Sequence, residues 1–438
     1  MSSSVTVTAA QRILDLFEKL LGMSIPVHVR CWDGSEAGTA GNVTIVFTNR
    51  RSLRHVLWSP NELGLVRGYV SGDLDIEGDV FELLSMPGLV EKLGDAGIRA
   101  LPKREVADAA VSLLRLGAVG PRPTPPSIEA PRRRGKKHSR SRDSSSVSHH
   151  YDVGNDFYQL FLGPSMVYSC AYWAAKDGGL DQAQYDKLDL VCRKLGLAPG
   201  MRLLDVGCGW GSLAIHAARN YGVSVVGVTL SQEQRAFAVD RVAAEGMSEL
   251  VEIRVQDYRD VNDGPYDAVS SIGMSEHVGD AHLPEYARTL IGLLRPQGRL
   301  LNHAIAAVGS VAAKGENVDV HMSGFIERYI FPDGEILPLS RTLDAFERAG
   351  LEVRDSEALR EHYALTLRAW VSRLRAEWGR AVEFVGEPRA RTWLLYLVGS
   401  ALGFEEAGRL TIHQVLAVRP DSAGSSGMPR TRTQWLGQ

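Results

Sequence analysis

The chain has 438 residues, which suggests two or three domains, and its 44% hydrophobic and 23% charged residues are typical of a globular protein with a substantial core. Four scattered cysteines form no CxxC pair, which argues against a zinc ribbon or thioredoxin-like chemistry and fits a reducing cytosol. The start lacks the pattern of a signal peptide, and no window offers the ~18 uncharged apolar residues of a spanning helix. We therefore expect a cytoplasmic protein that is soluble or lies on a membrane surface. The net charge of −3 indicates no particular partner, and no metal site is predicted.

Residues 1–120 are predicted to form a small α+β domain. Apolar residues at helical spacing predict a helix over 11–21, and residues 107–116 indicate another. Residues 27–30 and 43–48 are typical of strands.

Residues 121–149 are predicted to be a linker, because they combine a proline-rich start, a basic run and a serine run with few apolar residues. The basic run either forms a solvated tether or acts as an arm attracted to anionic phospholipid, with on the order of 1 kcal/mol for each Lys or Arg. Nucleic-acid binding is a weaker interpretation, because no aromatic residues interleave the run. The basic side chains are Arg132, Arg133, Arg134, Lys136, Lys137, Arg140 and Arg142.

Residues 150–420 alternate predicted strands and helices, a pattern that favours a parallel, doubly wound α/β sheet. The predicted strands are 202–206, 223–228, 251–255, 266–272 and 299–303, and the helices between them are 213–220, 232–245 and one that begins at 283. A further helix is expected over 364–383, with Trp370 and Trp378 on it. The tail, 421–438, is rich in Ser, Gly and Arg and is predicted to be flexible.

The segment LLDVGCGWG, residues 203–211, is the strongest local motif. An apolar strand ends at Asp205 and Val206, and glycines at 207, 209 and 211 allow a tight turn and close approach of a ligand. Dinucleotide enzymes use the different spacing G-x-G-x-x-G. The nearby carboxylate of Asp205 suits the amino group and sulfonium of S-adenosylmethionine better than a pyrophosphate. A nicotinamide-dependent oxidoreductase, or a purely structural strand-turn-helix, is the alternative.

The ends of the next two strands supply candidate cofactor contacts. The second strand ends without the acid that often holds a ribose, so Thr229 or Gln234 is expected to do so. The third ends at Asp257, which is placed to accept a hydrogen bond from the adenine amino group. An ordinary turn residue is the alternative interpretation of Asp257.

Eight segments together resemble the cyclopropane-fatty-acyl-phospholipid synthases and their mycolic-acid relatives. For seven of these segments the resemblance extends over about 148–418 and is specific, because generic methyltransferases share only the glycine loop. GYVSGDLDIEGD, residues 68–79, is similar to the N-terminal domain of the longer bacterial synthases, which implies a role in dimerisation and lipid engagement. The other segments are HHYDVGNDFY (149–158), MVYSCAYW (166–173), the glycine loop, GVTLS (227–231), QDYRD (256–260), GMSEHVG (273–279) and YIFPDG (329–334).

The resemblance implies the class I S-adenosylmethionine methyltransferase fold with helical lipid-binding insertions, and two sets of site residues. A bicarbonate acting as general base is implied at Cys170, Glu276, His303, the backbone around Ile305, and Tyr363. Without the resemblance, His303 would be a strand-end histidine, Cys170 a small buried hydrophobe and Tyr363 a core tyrosine. The candidate cofactor contacts are Tyr168, Ser169, Asp205, Gly207, Gly209, Thr229, Leu230, Ser231, Gln234, Asp257 and Tyr258.

The implied reaction is methyl transfer to the cis double bond of an unsaturated fatty acyl phospholipid. The resulting carbocation must be kept from water, and a base must remove a proton. The implied enzyme acts at the inner face of the membrane as a homodimer or higher oligomer, with a reductase as a further possible partner. A lipid-binding relative without activity is a third alternative.

Two departures from the family pattern border the base site. Ser275 stands where relatives often have Phe, and His303-Ala304-Ile305-Ala306 replaces the usual His-Thr-Ile-Gly. The basic linker and the Arg/Ala/Gly-rich composition resemble the actinobacterial branch, part of which forms 10-methylene-stearoyl lipid. We therefore expect methylenation of oleoyl chains, with cyclopropane formation as the alternative.

Overall fold

The computed structural model describes residues 7–59, 61–86, 111–130, 153–175, 178–308, 323–405 and 410–436. The chain divides into two compact units. The first comprises Met1–Arg133, Ser323–Ile330 and Val385–Leu402, and the second comprises Arg134–Met322, Phe331–Phe384 and Gly403–Gln438. Among the described residues, no helix is long and apolar enough to span a membrane.

The first unit contains a four-stranded sheet with the order β2-β1-β3-β4. The first helix begins after Thr8, whose hydroxyl accepts a hydrogen bond from the Gln11 amide, and ends at Gly22 with a left-handed φ of 64°. Its buried face packs on the strands with Val29, Val43 and Phe47. The strands are β1 His28–Cys31, β2 Glu36–Gly38, β3 Val43–Phe47 and β4 Leu74–Gly78, and the helices are α1 Ala9–Leu21, α2 Arg51–Trp58, α3 Glu62–Val70 and α4 Val80–Leu84.

Residues 121–130 differ from the predicted linker. Ala130 is buried, and its amide donates to the Arg328 carbonyl at 2.9 Å. The carboxylate of Glu129 binds Arg67 through two hydrogen bonds, which fixes this segment to the first unit. The basic run over 132–142 lies outside the described residues. Of the predicted helix over 107–116, only 111–116 is described, and residues 111–115 are helical.

The second unit is built on a seven-stranded sheet with the order β10-β11-β9-β8-β5-β6-β7. The predicted doubly wound architecture is confirmed, with one correction. β11 runs antiparallel to both β9 and β10, so the sheet is not wholly parallel. The strands are β5 Arg202–Val206, β6 Ser224–Thr229, β7 Val251–Val255, β8 Tyr266–Ile272, β9 Leu294–Ala307, β10 Glu352–Ala358 and β11 Leu410–Val418.

Helices cover both faces of this sheet and make two apolar cores. One core includes Val191, Ala214 and Ala238 against Leu203 and Val225, and the other includes Leu290 and Phe346 against Leu204 and Val269. β5 is central and buried along most of its length, as expected for a strand covered on both faces. The helices are α5 Asn155–Leu162, α6 Gly179–Leu195, α7 Ser212–Tyr221, α8 Gln232–Ala244, α9 Ser275–Val278, α10 Leu283–Leu293, α12 Leu339–Arg348, α13 Arg360–Ala376, α14 Trp378–Val385 and α16 Arg432–Leu436. Helix α11 Gly324–Tyr329 belongs to the first unit, as does most of α15 Glu387–Glu405.

Two predictions near the C-terminus need correction. The single helix expected over 364–383 is two helices, α13 and α14, separated at Glu377. The tail is not wholly flexible. Asp421 accepts backbone hydrogen bonds from Ala423 and Ser425, and α16 contacts α6 with Trp435 buried. The prediction of a flexible tail rested on its serine- and glycine-rich composition, which takes no account of the single buried side chain of Trp435.

Candidate active site

The glycine loop lies at the carboxyl end of β5. Gly207, Gly209 and Gly211 have φ values of 76°, 54° and 79°, all in the region that favours glycine. A Cβ atom at Gly207 would lie 2.5 Å from the Met274 side chain. Both a left-handed backbone and close packing therefore require glycine at 207, and the loop borders a cavity.

This cavity brings together ten of the eleven predicted cofactor residues. The remaining one, Ser231, is buried at the start of α8, where its hydroxyl accepts a hydrogen bond from the Gln234 amide. It therefore supports the cavity wall without lining it. The ten residues that line the cavity are Tyr168, Ser169, Asp205, Gly207, Gly209, Thr229, Leu230, Gln234, Asp257 and Tyr258.

Asp205 and Lys187 are buried ionisable side chains of opposite charge type that line this cavity. Burial raises the pKa of Asp205 to about 6, although Ser270 donates a hydrogen bond to its Oδ1 at 2.7 Å. Lys187 donates to Ser169 Oγ at 2.9 Å, and burial lowers its pKa to about 8. Both side chains line the cavity, so a ligand that carries an ammonium and a carboxylate meets a partner for each charge.

Three further predicted contacts already make hydrogen bonds within the protein. Thr229 Oγ1 donates to Gln234 Oε1 at 2.8 Å, which orients the Gln234 amide in the cavity. The Asp257 carboxylate pairs with Arg259, which donates from Nη2 at 2.6 Å and from Nε at 2.8 Å. Arg259 also lines the cavity and was not predicted.

The segment 273–279 connects the cavity to the predicted base site. Gly273, Met274, His277 and Val278 line the cavity, and Glu276 lies among them at the start of α9. Glu276 Oε1 accepts a hydrogen bond from the Ile305 amide at 2.8 Å, whereas its buried Oε2 has no partner among the described residues. Burial raises the pKa of Glu276 to about 7.

His303 lies on β9, two residues before Ile305 and therefore on the same face of the strand. It is fully buried, and its Nδ1 lies 3.2 Å from Gln414 Nε2. Within the described part of the chain, its buried Nε2 has no partner. Burial, reinforced by Lys187 and Lys194, holds the pKa of His303 well below 6.5, so the ring is neutral.

Cys170 and Tyr363 meet at the Leu359 carbonyl. Cys170 Sγ donates to it at 3.6 Å and to the Ala171 carbonyl at 3.2 Å, and the Tyr363 amide donates to it at 3.0 Å. Burial raises the pKa of Cys170, so the group is a neutral thiol. Tyr363 is buried beside Phe404 at a ring distance of 4.7 Å.

Besides Arg259, sequence reasoning missed three polar side chains that support the site: Lys187, Lys194 and Gln414. A signal was available for the lysines. Both occupy the buried face of α6, in line with Ala183 and Val191, where a helical pattern predicts apolar residues. A charge on such a face needs a buried partner, which is an indication of a functional or supporting role. Gln414 is a buried strand residue, and only the pairing of β11 with β9 reveals its neighbour.

A doubly wound sheet with a cavity at the glycine loop, and with acidic and basic groups matched to an amino-acid moiety, defines a class of enzyme. The protein is an S-adenosylmethionine-dependent methyltransferase. The comparison with solved structures agrees. A mycolic acid cyclopropane synthase crystallised with SAH and CTAB has a TM-score of 0.59 and 33% sequence identity, over 63% of this chain and 98% of that one.

The family follows from the sequence comparisons. Residues 138–415 match the family described as mycolic acid cyclopropane synthetase, and the chain belongs to it. A probable fatty acid methyltransferase of Mycobacterium tuberculosis is 40% identical over 92% of this chain and 93% of its own length. The cyclopropane-fatty-acyl-phospholipid synthase of Escherichia coli K12 is 41% identical over 58% of this chain and 63% of its own length. The nicotinamide alternative is therefore wrong.

Proposed function

We propose that the protein transfers a one-carbon unit to the cis double bond of unsaturated fatty acyl chains in phospholipids, and that it converts oleoyl to 10-methylene-stearoyl chains. Similarity over nearly the whole chain to the relative named as a probable fatty acid methyltransferase supports a lipid substrate. The observation that carries the proposal is that two buried atoms beside the cofactor cavity, Glu276 Oε2 and His303 Nε2, have no hydrogen-bond partner among the described residues.

Methylation of an alkene needs such a site, because transfer alone leaves a cation. The π electrons of the double bond form the new C–C bond to the methyl group as the S–CH₃ bond breaks, and that bond's electron pair returns to sulfur. The second alkene carbon is then a carbocation. A base takes a proton from the transferred methyl group, and the C–H electron pair closes a cyclopropane or, after a hydride shift, forms an exocyclic methylene.

Glu276 is suited to proton removal in two ways. With a pKa raised to about 7, its carboxylate is a stronger base than an exposed one and is still ionised above neutral pH. It either takes the proton directly or orients a small acid-base group by accepting that group's proton. The Ile305 amide holds Oε1 and leaves Oε2 for this task.

The residues present fit a bound bicarbonate. The unpartnered Glu276 Oε2 suits the hydroxyl of bicarbonate, the neutral ring of His303 offers a polar nitrogen, and the neutral thiol of Cys170 adds no negative charge. We propose that these residues hold it together with the backbone near Ile305 and Tyr363. Bicarbonate would supply a mobile general base.

We propose the methylene product rather than the ring because the basic linker and the Arg/Ala/Gly-rich composition resemble the actinobacterial branch, and two positions beside the base also differ from the family pattern. Ser275 and Ala306 are small, buried residues where relatives often carry Phe and Gly. These changes alter the space beside the carbocation. Cyclopropane formation is the second candidate, and the 41% identity to the Escherichia coli synthase favours it.

Expression in an oleate-rich host tests the proposal. Mass spectrometry of fatty acid methyl esters is expected to show a new chain heavier by one CH₂, and its fragmentation locates a methylene or a ring. Glu276→Gln is expected to abolish this chain, while Glu347→Gln, an exposed change on α12, retains it. A lipid profile unchanged by the wild-type protein contradicts the proposal.

The proposal extends to location and assembly. We propose that the protein acts as a homo-oligomer at the inner membrane surface, with a reductase consuming the methylene product. Flotation with vesicles of anionic phospholipid tests the location at the membrane surface, and a protein that does not float with the vesicles contradicts it.

A further inference from the structure

A row of polar side chains crosses three strands behind His303. Glu357 on β10 is the register partner of Gln414 on β11, and Gln414 is the register partner of His303 on β9. Lys194 from α6 covers this row and binds both Glu357 and Gln414. Gln414, Lys194 and His303 are each at most 1% exposed, so water does not compete for their contacts.

Lys194 determines how the Gln414 amide is oriented. An ammonium group only donates hydrogen bonds, so the atom that Lys194 Nζ contacts at 2.8 Å must be the amide oxygen of Gln414. The amide nitrogen then points to His303 Nδ1 at 3.2 Å. An amide NH₂ also only donates, so His303 Nδ1 must be the acceptor and carries no proton.

A neutral imidazole with a bare Nδ1 carries its proton on Nε2. We propose that Lys194 and Gln414 are positioning residues that hold His303 as the Nε2–H tautomer. The one N–H of the ring is therefore on Nε2, the buried atom that has no partner among the described residues, and it points away from Gln414. His303 then acts as a hydrogen-bond donor beside Glu276, and proton removal is left to Glu276 or to a group that Glu276 holds.

Exchange of Gln414 for Glu inverts this arrangement with almost no change in shape. One carboxylate oxygen still accepts from Lys194, but the other needs a donor, so His303 must place a proton on Nδ1. The ring then becomes the Nδ1–H tautomer, with a lone pair on Nε2, or an imidazolium. Gln159→Glu is the matched control, because Gln159 is exposed on α5.

The tautomer is measured by ¹⁵N NMR of the full chain labelled at histidine, with SAH bound. The His303 signals are those absent from His303→Asn. The wild type and Gln159→Glu are expected to show protonated Nε2 and bare Nδ1. Gln414→Glu is expected to protonate Nδ1 and to lower kcat about 10- to 1000-fold, with the Kd for SAH within about twofold.

Wild-type His303 with protonated Nδ1 overturns the inference, even if Gln414→Glu fails to fold. Unchanged kcat in a folded Gln414→Glu protein with an inverted tautomer overturns the catalytic part. The kcat arm rests on the proposed function, whereas the tautomer is read in the absence of turnover. A missing lipid product with the Nε2–H tautomer present would thus contradict the proposed function and not the tautomer assignment.

Discussion

Burial raises the pKa of two carboxyl groups, Asp205 and Glu276, and we assign the two groups different tasks. Asp205 lines the cavity beside Lys187, and Glu276 has one buried carboxylate oxygen without a partner among the described residues. An ammonium ligand favours the ionised form of Asp205, whereas the proposed removal of a proton from the substrate requires the ionised form of Glu276. Each group therefore makes a separate step sensitive to pH.

The first prediction concerns binding of S-adenosylhomocysteine. Because the pKa of Asp205 is raised to about 6, the group is protonated in the free protein below that pH, and binding of the ligand's amino group must displace the proton. The Kd is expected to be constant between about pH 6.5 and 7.5 and to increase about tenfold for each unit below pH 6. Calorimetry measures this, and Asp205→Asn should bind weakly with no such slope. A wild-type Kd independent of pH would contradict it.

The second prediction concerns the rate of turnover. In the proposed reaction ionised Glu276 is the active form. Because burial raises its pKa to about 7, kcat is expected to rise about tenfold per pH unit up to pH 7 and then level off. Steady-state assays on oleoyl phospholipid vesicles measure the profile. The exposed variant Glu347→Gln should retain it, and a flat wild-type profile between about pH 5.5 and 8 would exclude Glu276 as the controlling group.

At this scale the sequence predicted ten of the residues that line the cavity, but not what each one contacts. The glycine loop and the strand ends locate Gly207, Thr229 and Asp257, because the carboxyl ends of parallel strands meet at one edge. The partners Lys187 and Gln414 come from a helix and from an antiparallel strand. Their roles depend on packing between distant segments, which no local motif encodes.

At the scale of elements, an aromatic cluster connects α5, the segment with Tyr168, and α13. Trp370 on α13 is fully buried, with ring distances of 6.1 Å to Phe161, 5.4 Å to Tyr168 and 6.1 Å to Tyr363. One side chain thus packs against both a cofactor residue and a candidate base-site residue. Its Nε1 has no partner in the described residues.

The third prediction follows from this packing. Trp370→Ala is expected to lower the free energy of unfolding by about 3–5 kcal/mol, because it leaves a large cavity. Trp370→Phe should cost clearly less, since it fills much of the space and removes the unpaired N–H. Urea denaturation measures both, with the exposed Phe384→Ala as a control within about 1 kcal/mol. Equal losses in the two Trp370 variants would contradict this account.

The elements of the parallel core were predictable, whereas those added at its edge were not. β5, β7 and β8 have the predicted bounds. β5 and β8 are largely buried strands between turn signals, whereas the edge strand β7 alternates buried apolar residues with charged ones. β10 reads EVRDSEA and shows neither pattern, because the residue that it buries is the charged Asp355 and its exposed residues are Ser356 and Ala358. Its pairing with β11 determines it as a strand.

At the scale of the molecule, the first unit contains a buried ion cluster whose members come from segments far apart in the sequence. Glu129 accepts hydrogen bonds from Arg67, from Arg328 at 3.1 Å and from the Tyr329 hydroxyl at 2.9 Å. Burial alone would raise the pKa of Glu129, but these donors outweigh it and hold the pKa below 4.5. Tyr329 lies in the sequence within the predicted catalytic domain, and only its contacts with distant segments assign it to the first unit.

The fourth prediction tests this cluster. Glu129→Gln removes the countercharge that the described residues provide for buried Arg67, and it is expected to cost about 3–5 kcal/mol of unfolding free energy. Because the folded pKa of Glu129 is depressed, its contribution is complete above pH 4.5 and is lost as pH falls through the folded value. Glu77→Gln removes the half-exposed pair with Arg30 in the same unit and should cost less than about 1 kcal/mol. Equal urea midpoints for the two variants would contradict the prediction.

The most direct test of the central claim, methyl transfer to an alkene followed by proton removal, follows the atoms themselves. The purified protein is incubated with vesicles of oleoyl phospholipid and S-adenosylmethionine that carries a CD₃ group. We predict a new acyl chain with one added carbon that retains two of the three deuterium atoms, because the base takes the third. A chain that retains all three, or no labelled chain at all, would contradict the account.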